Sequence, residues 1–289
     1  MMQGLFDSFA DDSVRHSLAA VLALAISAGP VGVFLMLRRM SLVGDAMSHA
    51  ILPGVAIGFL AAGLNVFAMT MGGLTAGLII ALLAGAVSRA TMLQEDASLA
   101  VFLLMSLALG IVIVTIKGVD IEQIMEFLFG ETAAKMNADK LLVIAVNSTI
   151  STAALALIYR PLTLDCVDPG FLRAVSRSGG MAHLVFLALL VLNLISAFHA
   201  LGTLLGISII IIPAAVARFW TRDISVMIVL AMAGALVSGV VGVLFAHQAG
   251  IPSGPAITLV AGVLYAVSIA LGPVGGLVWR IFPGRHLEA

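Results

Sequence analysis

Asp45 and His49 stand four residues apart in the stretch Arg38–Phe59, which reads RRMSLVGDAMSHAILPGVAIGF. On a helix this spacing puts carboxylate and imidazole on one face, one turn apart. A charged side chain within an apolar run costs about 3 kcal/mol near lipid unless it faces a cavity, a partner or an ion. Oxygen and imidazole nitrogen without a thiolate form a donor set that suits zinc, manganese or ferrous iron. The pair is therefore a candidate metal site. The plainer readings are a first-turn acid favoured by the helix dipole for Asp45, and for His49 a buried histidine bonded to a neighbouring carbonyl.

Membrane helices are expected to hold this pair in place. Of 289 residues, 62% are hydrophobic and only 10% charged, with a mean hydropathy of +1.19, whereas soluble domains carry about one charged residue in four. The composition predicts an all-α, polytopic transmembrane bundle, and no polar stretch is long enough for a soluble domain, so residues 1–289 are expected to form a single transmembrane domain. A net charge of -1 with scattered basic residues gives no reason to expect nucleic acid. The one cysteine, Cys166, excludes an internal disulfide and a cysteine-rich metal cluster. The first sixteen residues carry acids where a secretory leader would carry a basic region, so no cleavable leader is expected.

Apolar runs of about twenty residues predict spans at 17–37, 43–62, 67–87, 97–116, 141–158, 183–201, 203–217, 224–246 and 255–279. The seventh is short, and a broken or re-entrant helix there or beside it gives eight spans in place of nine. With the N-terminus outside, Arg38, Arg39, Arg89, Arg160, Arg173, Arg177, Arg218, Arg222, Arg280 and Arg285 fall on the cytoplasmic side; Arg15, Lys117, Lys135 and Lys140 lie outside. The positive-inside rule selects this orientation, N-terminus out and C-terminus in. Asp45 and His49 then lie near the cytoplasmic end of the second span.

Two loops stand out. The outer one, at about 117–140, places Ile121, Ile124, Met125, Leu128 and Phe129 on one helical face opposite acids, and reads as a helix lying at the outer surface. The acids Asp120, Glu122, Glu126 and Glu131 there face either a binding protein or solvent. The inner loop, at about 160–183, places Asp168 and Pro169 as N-cap and N1 of a short helix with Phe171, Ala174 and Val175 on its apolar side. It is either a docking element for a soluble partner or a solvated connector.

No Walker A sequence and no HExxH motif occur, so neither ATP binding of that kind nor zinc-protease chemistry is expected. No nucleophile and base stand at a recognisable spacing, and the chain is expected not to be an enzyme. Ser178-Gly179-Gly180 reads as a turn before the sixth span. His199 and His247 sit near outer span ends, where histidines usually meet water. Asn147, Asn193 and Ser196 read as interhelical hydrogen-bonding groups, and Met69 and Met71 as packing residues.

GDAMSHAILPGVAIGF, then EDASLAVFL at Glu95–Leu103, FLFG at Phe127–Gly130, DPGFLRA at Asp168–Ala174, LGTLLGISIIIIPAAVAR at Leu201–Arg218 and IPSGPAITLV at Ile251–Val260 occur in this order. The chain thereby resembles the integral-membrane permease subunits of ABC importers for manganese, zinc or iron over nearly its whole length. That resemblance implies an importer in a bacterial inner membrane with two permease chains, cytoplasmic ATP-binding subunits that carry out the hydrolysis, and an extracytoplasmic metal-binding protein. No permanently bound cofactor is implied; the metal, zinc or manganese first, is cargo. The resemblance also implies that Asp45 and His49 line the path and engage the cation. Asp168, Pro169, Phe171, Arg173 and Ala174 would form the coupling helix that enters a groove on the ATPase. Gly170, where glutamate is usual, Leu172 in place of a small residue and Ser176 in place of glycine depart from the pattern. The function expected is thus the permease of an ATP-driven metal importer. The rival is a stand-alone secondary transporter in which Asp45 and His49 exchange a proton for metal.

Overall fold

Every regular element among the described residues is a helix. The computed structural model describes residues 11–63, 65–92, 95–117, 136–168, 171, 178–202 and 206–278. The helices are α1 (Asp12–Leu37), α2 (Ser41–Ala50), α3 (Leu52–Ala62), α4 (Val66–Ala90), α5 (Glu95–Lys117), α6 (Ala138–Val167), α7 (Ser178–Leu201), α8 (Ser208–Arg218), α9 (Ile224–Ala249) and α10 (Ser253–Leu271). Polar residues mark several entries. Asp11, Asn65, Asn137 and Asp223 precede α1, α4, α6 and α9, and each side chain accepts a hydrogen bond from a first-turn amide.

Two helices form the interior. α1 is buried over most of its length, and without interruption from Ser27 to Leu35, against α6, α7, α8 and α9, and α7 is buried over most of its length, whereas α4, α6, α9 and α10 each keep an exposed apolar side. Leu104, Leu157, Val229 and Leu259 are among the outward-facing residues, as expected of surfaces that meet hydrocarbon. Lipid gives no hydrophobic drive to helix association, so packing and interhelical hydrogen bonds must hold the bundle. Gly54 of α3 and Gly72 of α4 meet backbone to backbone, and a methyl group on either would run into the other's carbonyl. Gly32 of α1 likewise lies against the Ile210 carbonyl of α8. A polar seam runs between α1, α6 and α7. Ser27 bonds Ser148 at 3.1 Å, Asn147 Nδ2 donates to Ser196 Oγ at 3.0 Å, and Asn193 Nδ2 donates to Ser151 Oγ and to the Leu189 carbonyl. Asn147, Asn193 and Ser196 thus do what their sequence positions predicted.

Each of the nine predicted apolar runs contains a helix, although in the seventh the helix starts only at Ser208 and in the ninth α10 ends at Leu271, and two further departures lie in how the runs are built. Seven stretches among the described residues are long and apolar enough to cross a membrane, while Ala97–Ile113 within α5 and the whole of α8 are shorter. An eleven-residue α8 is only about 16 Å long, half of a hydrocarbon core. The second run is broken at Ile51, between α2 and α3. Pro53 has no N–H to give the His49 carbonyl four residues earlier, and α5 braces the break, with Ser106 Oγ donating to the Ala50 carbonyl at 2.8 Å and Gly110 facing Pro53.

The inner loop is shorter than its expected bounds of about 160–183. α6 continues through Arg160 and Pro161 to Val167, and α7 starts at Ser178, so Ser178-Gly179-Gly180 is the first turn of a helix and not a turn before one. The extension holds because it has partners. Tyr159 meets the Phe34 ring edge-on at 5.8 Å, Leu162 is fully buried, and Asp165 is ion-paired. The outer-surface helix expected from Ile121 to Phe129 lies outside the described residues.

Candidate functional site

The turn from α1 into α2 sets the position of Asp45. Arg38 caps α1, Arg39 takes a left-handed conformation with φ 58°, and Met40 precedes α2. The Arg39 amide donates to the Met36 carbonyl at 3.0 Å and the Met40 amide to Leu35 at 2.9 Å, the two bonds of a Schellman motif. Arginine pays about 1–2 kcal/mol for this conformation where glycine would not. Three residues therefore join α1 to α2 without a soft loop.

α2 is held by one side only. Val43, Gly44, Met47, Ser48 and Ala50 are buried, the helix packing chiefly on α5, with Gly44 against Leu35 and Ile207. The opposite side carries Leu42, Asp45 and His49. Leu42 and Asp45 are exposed and His49, in the last turn, is half-buried. The two predicted ligands thus share a face that the chain leaves uncovered. Ser48 Oγ donates to the Asp45 main-chain carbonyl at 2.7 Å, a bond in which the Asp45 carboxylate takes no part. Among the described residues no three His, Cys, Asp or Glu side chains gather closely enough to hold a metal ion. One chain supplies two donors, and a tetrahedral or larger coordination sphere needs more.

The other histidines are placed differently. His199 Nε2 lies 3.2 Å from Thr70 Oγ1 between α7 and α4, and His247 is half-buried in the last turn of α9. Among the described residues neither gathers a ligand set. Met69 is buried and Met71 exposed.

In the inner segment, Asp168 closes α6, and its carboxylate accepts a hydrogen bond from the Phe171 amide at 2.8 Å, the contact expected of an N-cap. The Phe171 ring is more than half exposed. Pro169, Arg173 and Ala174 lie outside the described residues.

A cluster that sequence spacing does not reveal sits beside this segment. Arg38 Nη2 lies 2.8 Å from Asp165 Oδ2 and 2.8 Å from His183 Nδ1, with its guanidinium carbon 5.2 Å from the centre of the Phe186 ring. The three polar residues come from α1, α6 and α7, far apart in sequence. The only sequence signal is that an acid, Asp165, stands at the same end of its helix as the arginine pair Arg38-Arg39 does.

Helical architecture, apolar outer surfaces, and an exposed acid beside a half-buried imidazole on the flank of a broken helix together describe an all-α polytopic membrane protein. The family is specific: residues 10–272 match the ABC 3 transport family, and the chain belongs to it. The chain is 32% identical over 276 residues to the manganese transport system membrane protein MntC of Halalkalibacterium halodurans, covering 95% of this chain and 92% of that one. It is 31% identical over 293 residues to the zinc transport system membrane protein TroC of Treponema pallidum, covering 99% and 98%. PsaBC from Streptococcus pneumoniae, solved in complex with Fab, has the same fold, with a TM-score of 0.86 over 98% of this chain and 100% of that one at 24% identity.

Proposed function

We propose that the chain is the transmembrane permease subunit of an ATP-driven ABC importer that carries manganese or zinc into the cytoplasm. The observation that carries this reading is the uncovered face of α2, where Asp45 and His49 stand one turn apart on a helix anchored by its other side. Membership of the ABC 3 transport family and likeness to manganese and zinc transport proteins support the cargo.

Two copies about a twofold axis bring two carboxylates and two imidazoles together, and a pair of donors becomes four. Without thiolates such a set binds a divalent cation and can also release it when the helices move. Facing a partner across a passage also removes the cost of leaving Asp45 toward lipid. α5 adds an eighth span, and the apolar run that contains the short α8 crosses as a broken helix to make nine; the whole chain acts as one transmembrane domain in a bacterial inner membrane, and the distribution of arginines favours an outside N-terminus. Asp168, Pro169, Phe171, Arg173 and Ala174 form the contact with a separate ATP-binding subunit; the capped Asp168–Phe171 turn and the exposed Phe171 ring support this. An extracytoplasmic metal-binding protein delivers the ion.

Uptake of radioactive manganese and of zinc into vesicles holding the permease tests this. Uptake is expected only when the ATPase subunits are present with ATP, and is expected to be lost in Asp45→Ala and His49→Ala. Uptake that follows a proton gradient without the ATPase would replace this reading with a secondary transporter.

A further inference from the structure

The Arg38 cluster buries charge at a cost that its ion pair only partly offsets. Arg38 keeps 10% of its side-chain surface exposed and Asp165 21%. Arg38 Nη1 is buried with no hydrogen-bond partner among the described residues. A buried donor left unpaired costs about 1–3 kcal/mol, and well-packed apolar residues commonly do as well as a buried ion pair or better. Holding the end of α6 in place therefore does not by itself account for a buried guanidinium at this position.

What the cluster joins is more informative. Asp165 lies three residues before Asp168, in the last turn of α6, and His183 lies near the start of α7. One guanidinium holds the two helix ends on either side of residues 169–177. Arginine only donates, so His183 Nδ1 accepts and its Nε2 carries the ring proton. Toward the other side, Arg38 is the last residue before the Schellman turn, whose Met40 carbonyl accepts from the Gly44 amide at 3.2 Å. Asp45 follows directly. A shift of α6 or α7 that drags Arg38 therefore reaches Asp45 through hydrogen-bonded backbone with no flexible segment between.

We propose that Arg38 is a positioning residue that links the α6 and α7 ends flanking the ATPase-contacting segment to the ligand-bearing helix α2, so that movement of the one is delivered to Asp45 and His49. The inference rests on the reading of Asp45 and His49 as cation ligands and of Asp168 and Phe171 as ATPase contacts. Lysine is a poor substitute, because a point charge cannot serve Asp165, His183 and the Phe186 face together.

The test uses the assembled permease, ATPase and binding protein in proteoliposomes, with manganese as cargo, and reads manganese delivered per ATP hydrolysed. Arg38→Met, Asp165→Asn and His183→Gln are each expected to reach the membrane and retain the ATPase, while this ratio falls about tenfold, within the range of coupling energies carried by single residues. Arg38→Lys is expected to fall between these and the wild type. A purely structural role lowers the amount of folded complex and leaves the ratio on the folded fraction unchanged. A ratio within twofold of wild type in the variants that assemble overturns the proposal, and so does failure of all three to assemble. Loss of ATP-driven uptake by the wild type would instead sink the importer reading, and normal uptake by Asp45→Asn would sink the ligand reading alone.

Discussion

Gly72→Ala tests whether α3 and α4 are held by backbone contact, and the structure supplies its own control. At Gly72 a Cβ would meet the Gly54 carbonyl oxygen, the Gly54 carbon at 3.0 Å and the Gly58 nitrogen at 3.4 Å, all backbone atoms that cannot rotate away. At Gly262, in the interior of α10, nothing lies within 4 Å. Both substitutions gain the same helix propensity, about 1 kcal/mol, so the difference between them isolates the clash. Overpacking costs about 1–3 kcal/mol, which for a chain of this size is about 5 °C in melting temperature. Thermal unfolding of the two variants in one detergent reads it directly. Gly262→Ala should match or exceed the wild type and Gly72→Ala should melt lower; a Gly72→Ala protein as stable as Gly262→Ala would show that backbone contact does not hold α3 on α4.

Three further outcomes follow from the geometry. Arg39→Gly removes the cost of a left-handed arginine, about 1–2 kcal/mol, and adds back about half of it in unfolded-chain entropy; the melting temperature should rise by about 2 °C, and a fall would contradict this. Asn147→Ala loses the bond to Ser196 Oγ and should cost about 1 kcal/mol, read by equilibrium unfolding in mixed micelles; no loss would mean the seam contributes nothing there. Pro53→Ala restores a donor for the His49 carbonyl and favours a continuous α2–α3 helix. It should lower uptake while leaving ATPase association intact, and unchanged uptake would show that the break at Ile51 serves no transport step.

Periodicity and composition were enough to find every apolar helix among the described residues and to put Asp45 and His49 on one face, because both depend on local spacing. The places where the reading fell short depend on partners. Arg160-Pro161 looks like the end of a span, yet α6 runs on to Val167 because Phe34 and Arg38 of α1 wait for Tyr159 and Asp165. The break in the second span follows from Pro53, but only the position of Ser106 and Gly110 on α5 fixes it at Ile51. His183 has no ligand at helical spacing, and its actual partner, Arg38, is on another helix. Tertiary pairing of this kind leaves no periodic mark in a sequence.

On the proposed function, Asp45 and His49 from two copies hold the cation together. Electron paramagnetic resonance of manganese bound to the assembled permease tests it most directly, since imidazole nitrogen imprints its own nuclear modulation on the metal signal. A nitrogen modulation in the wild-type dimer that vanishes in His49→Gln, with weakened manganese binding in Asp45→Asn, is the predicted result; manganese bound with equal affinity and no change in modulation in both variants would contradict it.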